Sequence, residues 1–182
     1  MIESGILRLE PDWCDVVLVL EAAAACIPPE RLGTLRVTGP PGLPAVWADH
    51  DRLEQVFVNL LDNALRHNPA GTLVEARAAD TGDGRVVVVV CDDGPGISPE
   101  VAADLFEPGR RRVAPMSGTG LGLLIAKGIV EAHRGRLELA QDPSGKRFLV
   151  QLPIEPPDGQ DHDAAPADST RALASPGPRG RR

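Results

Sequence analysis

Ser117-Gly118-Thr119-Gly120-Leu121-Gly122 runs straight into Leu123 to Val130, a segment with helical apolar spacing. Glycines at alternate positions let another group approach the main chain closely. The helix that follows presents unpaired N–H groups and a partial positive charge at its first turn. That pairing suits an anionic phosphate. Upstream, Asp92-Asp93-Gly94-Pro95-Gly96-Ile97 places a carboxylate beside a backbone bend with little side-chain bulk. Further upstream, Asn59 and Asn63 are four apart, and Arg66 and His67 follow at helical spacing, so the four share one face. Taken singly, each group has a plain structural reading. The asparagines fit a solvated helix face, Asp93 a simple turn, His67 a helix end, and Arg110, Arg111 and Arg112 a solvated loop.

The elements that must hold these residues are legible from periodicity. Leu53, Val56, Phe57, Leu60, Leu61 and Ala64 recur at the spacing of one buried helix face, which predicts a helix over 49–68. Asp49 or Asp51 can cap its start, and Asn68-Pro69-Ala70-Gly71 stops it. Leu73 to Ala79 alternates like a strand, Thr81 to Gly84 is a turn, and Arg85 to Cys91 is a β-branched run, so a hairpin is predicted. Ser98-Pro99-Glu100 starts a short helix to about Leu105. The segment 106–117 is an irregular basic loop, placed to act as a lid over phosphates. A helix over 121–132 follows, then an antiparallel pair, Arg136 to Ala140 and Arg147 to Leu152. Before the long helix, Val16 to Cys26 reads as a short helix ended by Pro28-Pro29, and Leu35 to Thr38 as a strand.

Composition narrows the function classes. The chain has 182 residues, 42% of them hydrophobic and only 3% aromatic, with enough length for one domain with a real core. A net charge of -7 gives no electrostatic case for a nucleic-acid partner. Cys14, Cys26 and Cys91 form no metal or redox pattern and read as reduced apolar residues. No apolar run reaches the length of a membrane span and no signal peptide is visible, so a cytoplasmic location is expected. Leu123 stands where a Rossmann fingerprint has its third glycine, and no Gly-Lys-Ser or Gly-Lys-Thr exists for a P-loop.

Four boxes occur in order: Asn59 with Asn63, Asp93-Gly94-Pro95-Gly96, Leu105-Phe106-Glu107-Pro108, and Gly118-Thr119-Gly120-Leu121-Gly122. This series resembles the ATP-binding domain of histidine kinases, part of the superfamily that includes DNA gyrase and mismatch-repair ATPases. The resemblance spans roughly 16–154. It implies an α/β fold, a two-layer sandwich of the Bergerat type with a mixed sheet backed by helices, and it implies ATP and Mg²⁺ as ligands. By the same resemblance Asn59 ligates Mg²⁺, Asn63 contacts phosphate or ribose, and Arg66 is a phosphate cation. His67 lies beside the adenosine. Asp93 accepts from the adenine amine, Gly94 and Gly96 admit the base, and Ile97 walls it. Gly118, Thr119, Gly120, Leu121 and Gly122 meet the phosphates.

Gln55 stands one turn before Asn59, where ATP-hydrolysing members of the superfamily carry a glutamate that activates water. Glutamine cannot act as that base, and Glu54 points about a quarter-turn away. The expected reaction is therefore γ-phosphoryl transfer to a histidine on a dimerisation domain, with a response regulator as the onward partner. No histidine here lies in the expected acidic helical context, so the phosphoacceptor and the catalytic base are expected elsewhere. Residues 1–15 read as the remnant of a dimerisation hairpin or a linker, and 155–182 as a disordered tail. The alternatives are an ATP-responsive regulatory module without transfer, or a serine kinase resembling anti-sigma factors.

Overall fold

Val86, Val88, Val90 and Asp92 are buried while the residues between them are half-buried, the alternation of a strand with one face on a core. This strand is the centre of the sheet in the computed structural model, which describes residues 8–28, 35–66, 68–69, 71–98, 102, 105–106, 121–142 and 145–155. The elements in chain order are β1 (Asp12–Cys14), α1 (Val16–Ala25), β2 (Leu35–Thr38), β3 (Val46–Ala48) and α2 (His50–Arg66). They continue with β4 (Val74–Asp80), β5 (Arg85–Asp92), α3 (Gly122–Ala132), β6 (Arg136–Asp142) and β7 (Gly145–Pro153). Five strands pair in the order β2-β4-β5-β7-β6. Among the described residues only β2 with β4 is parallel; the other pairs are antiparallel, so the sheet is mixed. Both expected hairpins are present, β4 with β5 and β6 with β7.

One face of the sheet is covered by α1, α2 and α3, with α2 between the other two. Val74, Ala76, Val88, Phe148 and Val150 from the strands meet Leu20, Phe57, Leu60, Leu61 and Val130 from the helices. Each such aliphatic or aromatic side chain contributes roughly 1.5–3 kcal/mol on full burial. With so few aromatics, valine and leucine supply most of this core. The result is the two-layer α/β sandwich expected.

Capping explains where the helices begin. Asp15 accepts from Val17 N at 2.8 Å and Leu18 N at 3.3 Å at the start of α1. Asp49 does the same for α2, its carboxylate accepting from Arg52 N at 3.1 Å. The other Asp49 oxygen accepts from Glu10 N at 2.9 Å, and Asp49 N donates to His133 Nε2 at 2.9 Å. His133 Nδ1 in turn donates to Ile129 O at 2.8 Å. A backbone N–H can only donate, so Nε2 is the bare nitrogen and the proton sits on Nδ1. This buried, neutral histidine ties the end of α3 to the start of α2.

The described part of the N-terminal segment includes a strand. Asp12–Cys14 pairs antiparallel with β3, and Cys14 enters the core. Its thiol donates to Ala48 O at 3.1 Å. Burial, reinforced by Asp12 and Asp49, pushes its pKa up to about 11. Trp13 and Trp47 pack edge to face with ring centroids 5.4 Å apart. Of the short helix expected over 99–105, Ala102 N donates to Ser98 O at 2.9 Å and Leu105 N to Ala102 O at 3.3 Å, and residues 99–101 and 103–104 lie outside the described residues. So do Arg110 to Arg112 and the 156–182 tail.

Candidate functional site

The polar face of α2 carries the asparagines. Asn59 is half-buried, and its Nδ2 is buried with no hydrogen-bond partner among the described residues. Its Oδ1 lies 3.1 Å from where a Cβ on Gly122 would stand, so a glycine at the start of α3 is what admits this amide. The start of α3 has no side-chain cap, which leaves its first-turn N–H groups open to an outside acceptor. Asn63 is half-buried one turn on. Arg66 is exposed, and its Nε donates to Asp62 Oδ1 at 2.7 Å, so part of its guanidinium is already engaged. Gln55 is exposed and accepts from Arg52 Nη1 at 3.2 Å. Glu54 accepts from the Cys26 thiol at 3.3 Å, which turns its carboxylate toward the end of α1.

The end of β5 separates two neighbouring carboxylates. Asp92 continues the inward alternation and is only 6% exposed. Its Oδ1 accepts from Gly94 N at 3.1 Å. Asp93 is exposed, and its Oδ1 accepts from Leu73 N at 2.7 Å while its own N donates to Leu73 O at 3.2 Å. Asp93 thus fastens the loop to the start of β4, and it is Asp92 that faces the helix layer. Across the sheet, Asp92 is the register partner of Lys146, which is 3% exposed. Lys146 Nζ lies 3.7 Å from Asp92 Oδ1, 3.0 Å from Asn68 Oδ1 and 3.5 Å from Pro95 O. Asn68 Nδ2 donates to Ala64 O at 2.7 Å, closing the end of α2.

Glycines make these approaches possible. A Cβ on Gly94 would overlap Asn68 Oδ1, and one on Gly145 would overlap Asp92 O. Gly145 also has φ +137°, outside the range that other residues adopt readily. Gly96 is exposed and Ile97 half-buried on the same loop, and Leu121 is exposed just before α3. Phe106 packs against the core with Lys127 Nζ 5.5 Å from its ring centroid, which holds the start of the 106–117 segment to α3. His67, Gly118, Thr119 and Gly120 lie outside the described residues. Among the described residues no three His, Cys, Asp or Glu side chains cluster as a metal site. A hard cation here would take a single amide oxygen from Asn59 and the rest of its ligands from phosphate and water, and Asn59 fits that part.

The family described as Histidine kinase-, DNA gyrase B-, and HSP90-like ATPase matches residues 48–156. The chain belongs to this family. Among its relatives is the alginate biosynthesis sensor protein KinB of Pseudomonas aeruginosa. It is 35% identical over 156 residues, which cover 84% of this chain and 26% of KinB. Among solved structures, the mycobacterial sensor histidine kinase MprB superposes with a TM-score of 0.67 at 32% identity, covering 82% of this chain and 99% of that one. Full-length ShkA in complex with AMPPNP gives 0.68 at 26% identity, covering 82% of this chain and 32% of that one. The chain spans less than half the length of the curated relatives it matches.

Three residues that the structure brings together at the end of β5 went unnoticed in the sequence. Asp92 could have been found by carrying the β5 alternation one residue further. Asn68 was visible only as a stop signal, although its side chain joins α2 to the loop after β5. Lys146 left no signal, because a lysine beside a turn reads as solvated.

Proposed function

We propose that this chain is the ATP-binding catalytic domain of a sensor histidine kinase, moving the γ-phosphoryl of ATP to a histidine on a dimerisation domain. The observation that carries the proposal is the Asn59 side-chain oxygen standing against Gly122 at the uncapped start of α3. An oxygen ligand for a hard cation and N–H donors for phosphate thereby stand side by side. The names of KinB and MprB as sensor proteins and the AMPPNP bound to ShkA support the same reading.

In this reading Asp92, rather than Asp93, accepts from the adenine amine, since Asp92 is the carboxylate on the inner face. Gly94 and Gly96 keep the loop thin beside the base, and Ile97 walls it. Asn59 holds Mg²⁺, Asn63 reaches phosphate or ribose, and Arg66 and His67 flank the nucleotide. The segment Gly118, Thr119, Gly120, Leu121 and Gly122 receives the phosphates. Mg²⁺, when bound, neutralises charge on the transferring group; the chain's own part is to position ATP and supply N–H donors. Gln55, lacking a basic oxygen, leaves water unactivated and so favours transfer over hydrolysis. The onward partner is a response-regulator aspartate, and the location is the cytoplasm.

The test supplies γ-labelled ATP, Mg²⁺ and a separate histidine-bearing dimerisation domain. Acid-labile label on that histidine, abolished by Asn59→Ala, is the expected result. An ATP-saturated protein that transfers no label to any dimerisation domain offered would contradict transfer and leave an ATP-responsive module.

A further inference from the structure

Lys146 is the least expected group in the site, because a lysine is almost never fully buried unless it is paired. Its ammonium has three N–H donors. Asn68 Oδ1 at 3.0 Å and Pro95 O at 3.5 Å take two of them. The third has only the Asp92 carboxylate, at 3.7 Å, beyond hydrogen-bond length among the described residues. Asp92, whose Oδ1 accepts from Gly94 N, retains acceptor capacity beside it. Two neighbouring strands thus end in an acceptor and a donor placed side by side on the inner face. Gly145 enforces that register, since no Cβ fits between it and Asp92 O.

We infer that Lys146 is a second base-reading residue, donating from Nζ to adenine N1 while Asp92 accepts from the N6 amine. The inference rests on the nucleotide site proposed above and adds to it a specificity-determining group. Adenine's edge offers a donor and an acceptor in adjacent positions, the complement of this pair. An ammonium donor forms a charge-assisted bond, stronger than a neutral one and more costly to leave unmade.

The experiment compares ATP with 1-deaza-ATP, in which a C–H replaces N1 and the amine is kept, by calorimetric titration in Mg²⁺. The unaltered protein is expected to bind 1-deaza-ATP about tenfold or more weakly than ATP. In Lys146→Met the two ligands should bind alike, both at the weaker level. Equal affinity of the unaltered protein for the two would overturn the inference while leaving the ATP site intact, and that comparison needs no variant to fold. Tighter ATP binding by Lys146→Met would also overturn it, because the lysine would then be a competitor of the base. No binding of ATP by the unaltered protein would overturn both this inference and the nucleotide site.

Discussion

Asp92 and Asp93 are adjacent in the chain but face opposite surroundings. Asp92 is held on the inner face by the β5 alternation, with an ammonium and an N–H beside it. Asp93 accepts from Leu73 N on the outside. The resemblance pointed to Asp93, and the doubled aspartate hides which of the two faces inward, since a one-residue shift exchanges the two faces of a strand. The glycines were legible as thin backbone, and their contacts give a first prediction. Gly94→Ala drives a methyl into Asn68, releasing its bonds to Ala64 and Lys146. A stability loss of about 1–3 kcal/mol is expected in urea unfolding. Cys14 gives a second. Its folded pKa is raised, so the stability it lends is present below the unfolded value near 9 and is lost as pH rises toward about 11. Urea midpoints should fall across that window, and less steeply in Cys14→Ala.

At the scale of elements, α2 is gripped at both ends. Asp49 caps its start and receives Glu10, while His133 reaches across from α3. Asn68 closes its end and meets Lys146. The helix itself was plain from its apolar period, and so were the two hairpins from their turns. These joints were not, because they depend on which elements become neighbours. His133→Ala leaves Asp49 N buried without its acceptor, and a loss of about 1–3 kcal/mol is expected. Gly122→Ala acts differently. Its Cβ would stand 3.1 Å from Asn59 Oδ1, so the amide must yield by a few tenths of an ångström. Weaker Mg²⁺-ATP binding with little change in unfolding midpoint is the expected outcome of paired titration and urea measurements.

For the whole molecule, the mixed order β2-β4-β5-β7-β6 makes β5 the axis on which the site is built. Alternation and turns gave the strands, but nothing local specified that β2 would lie parallel to β4 or that β7 would join β5. Only the mixed character of the sheet was reached beforehand, and that through the resemblance to the histidine-kinase ATP-binding domain. The strand before residue 15 was not legible for a related reason: a three-residue strand carries too little pattern, and Asp12–Cys14 is a strand because β3 receives it. Removing residues 1–14 should therefore lower the urea midpoint, by uncovering β3 and stripping Glu10 from Asp49. No helix among the described residues is long and apolar enough to cross a membrane.

If ATP binds with its base on the inward carboxylate of β5, as proposed, the two neighbouring aspartates must differ in their effect on it. Calorimetric titration of Mg²⁺-ATP into the unaltered protein, Asp92→Asn and Asp93→Asn tests it most directly. Binding is expected to weaken about tenfold or more in Asp92→Asn. A change within about threefold is expected in Asp93→Asn, whose amide oxygen still accepts from Leu73. Loss of binding in Asp93→Asn with Asp92→Asn unaffected, or no binding by the folded unaltered protein, would contradict it.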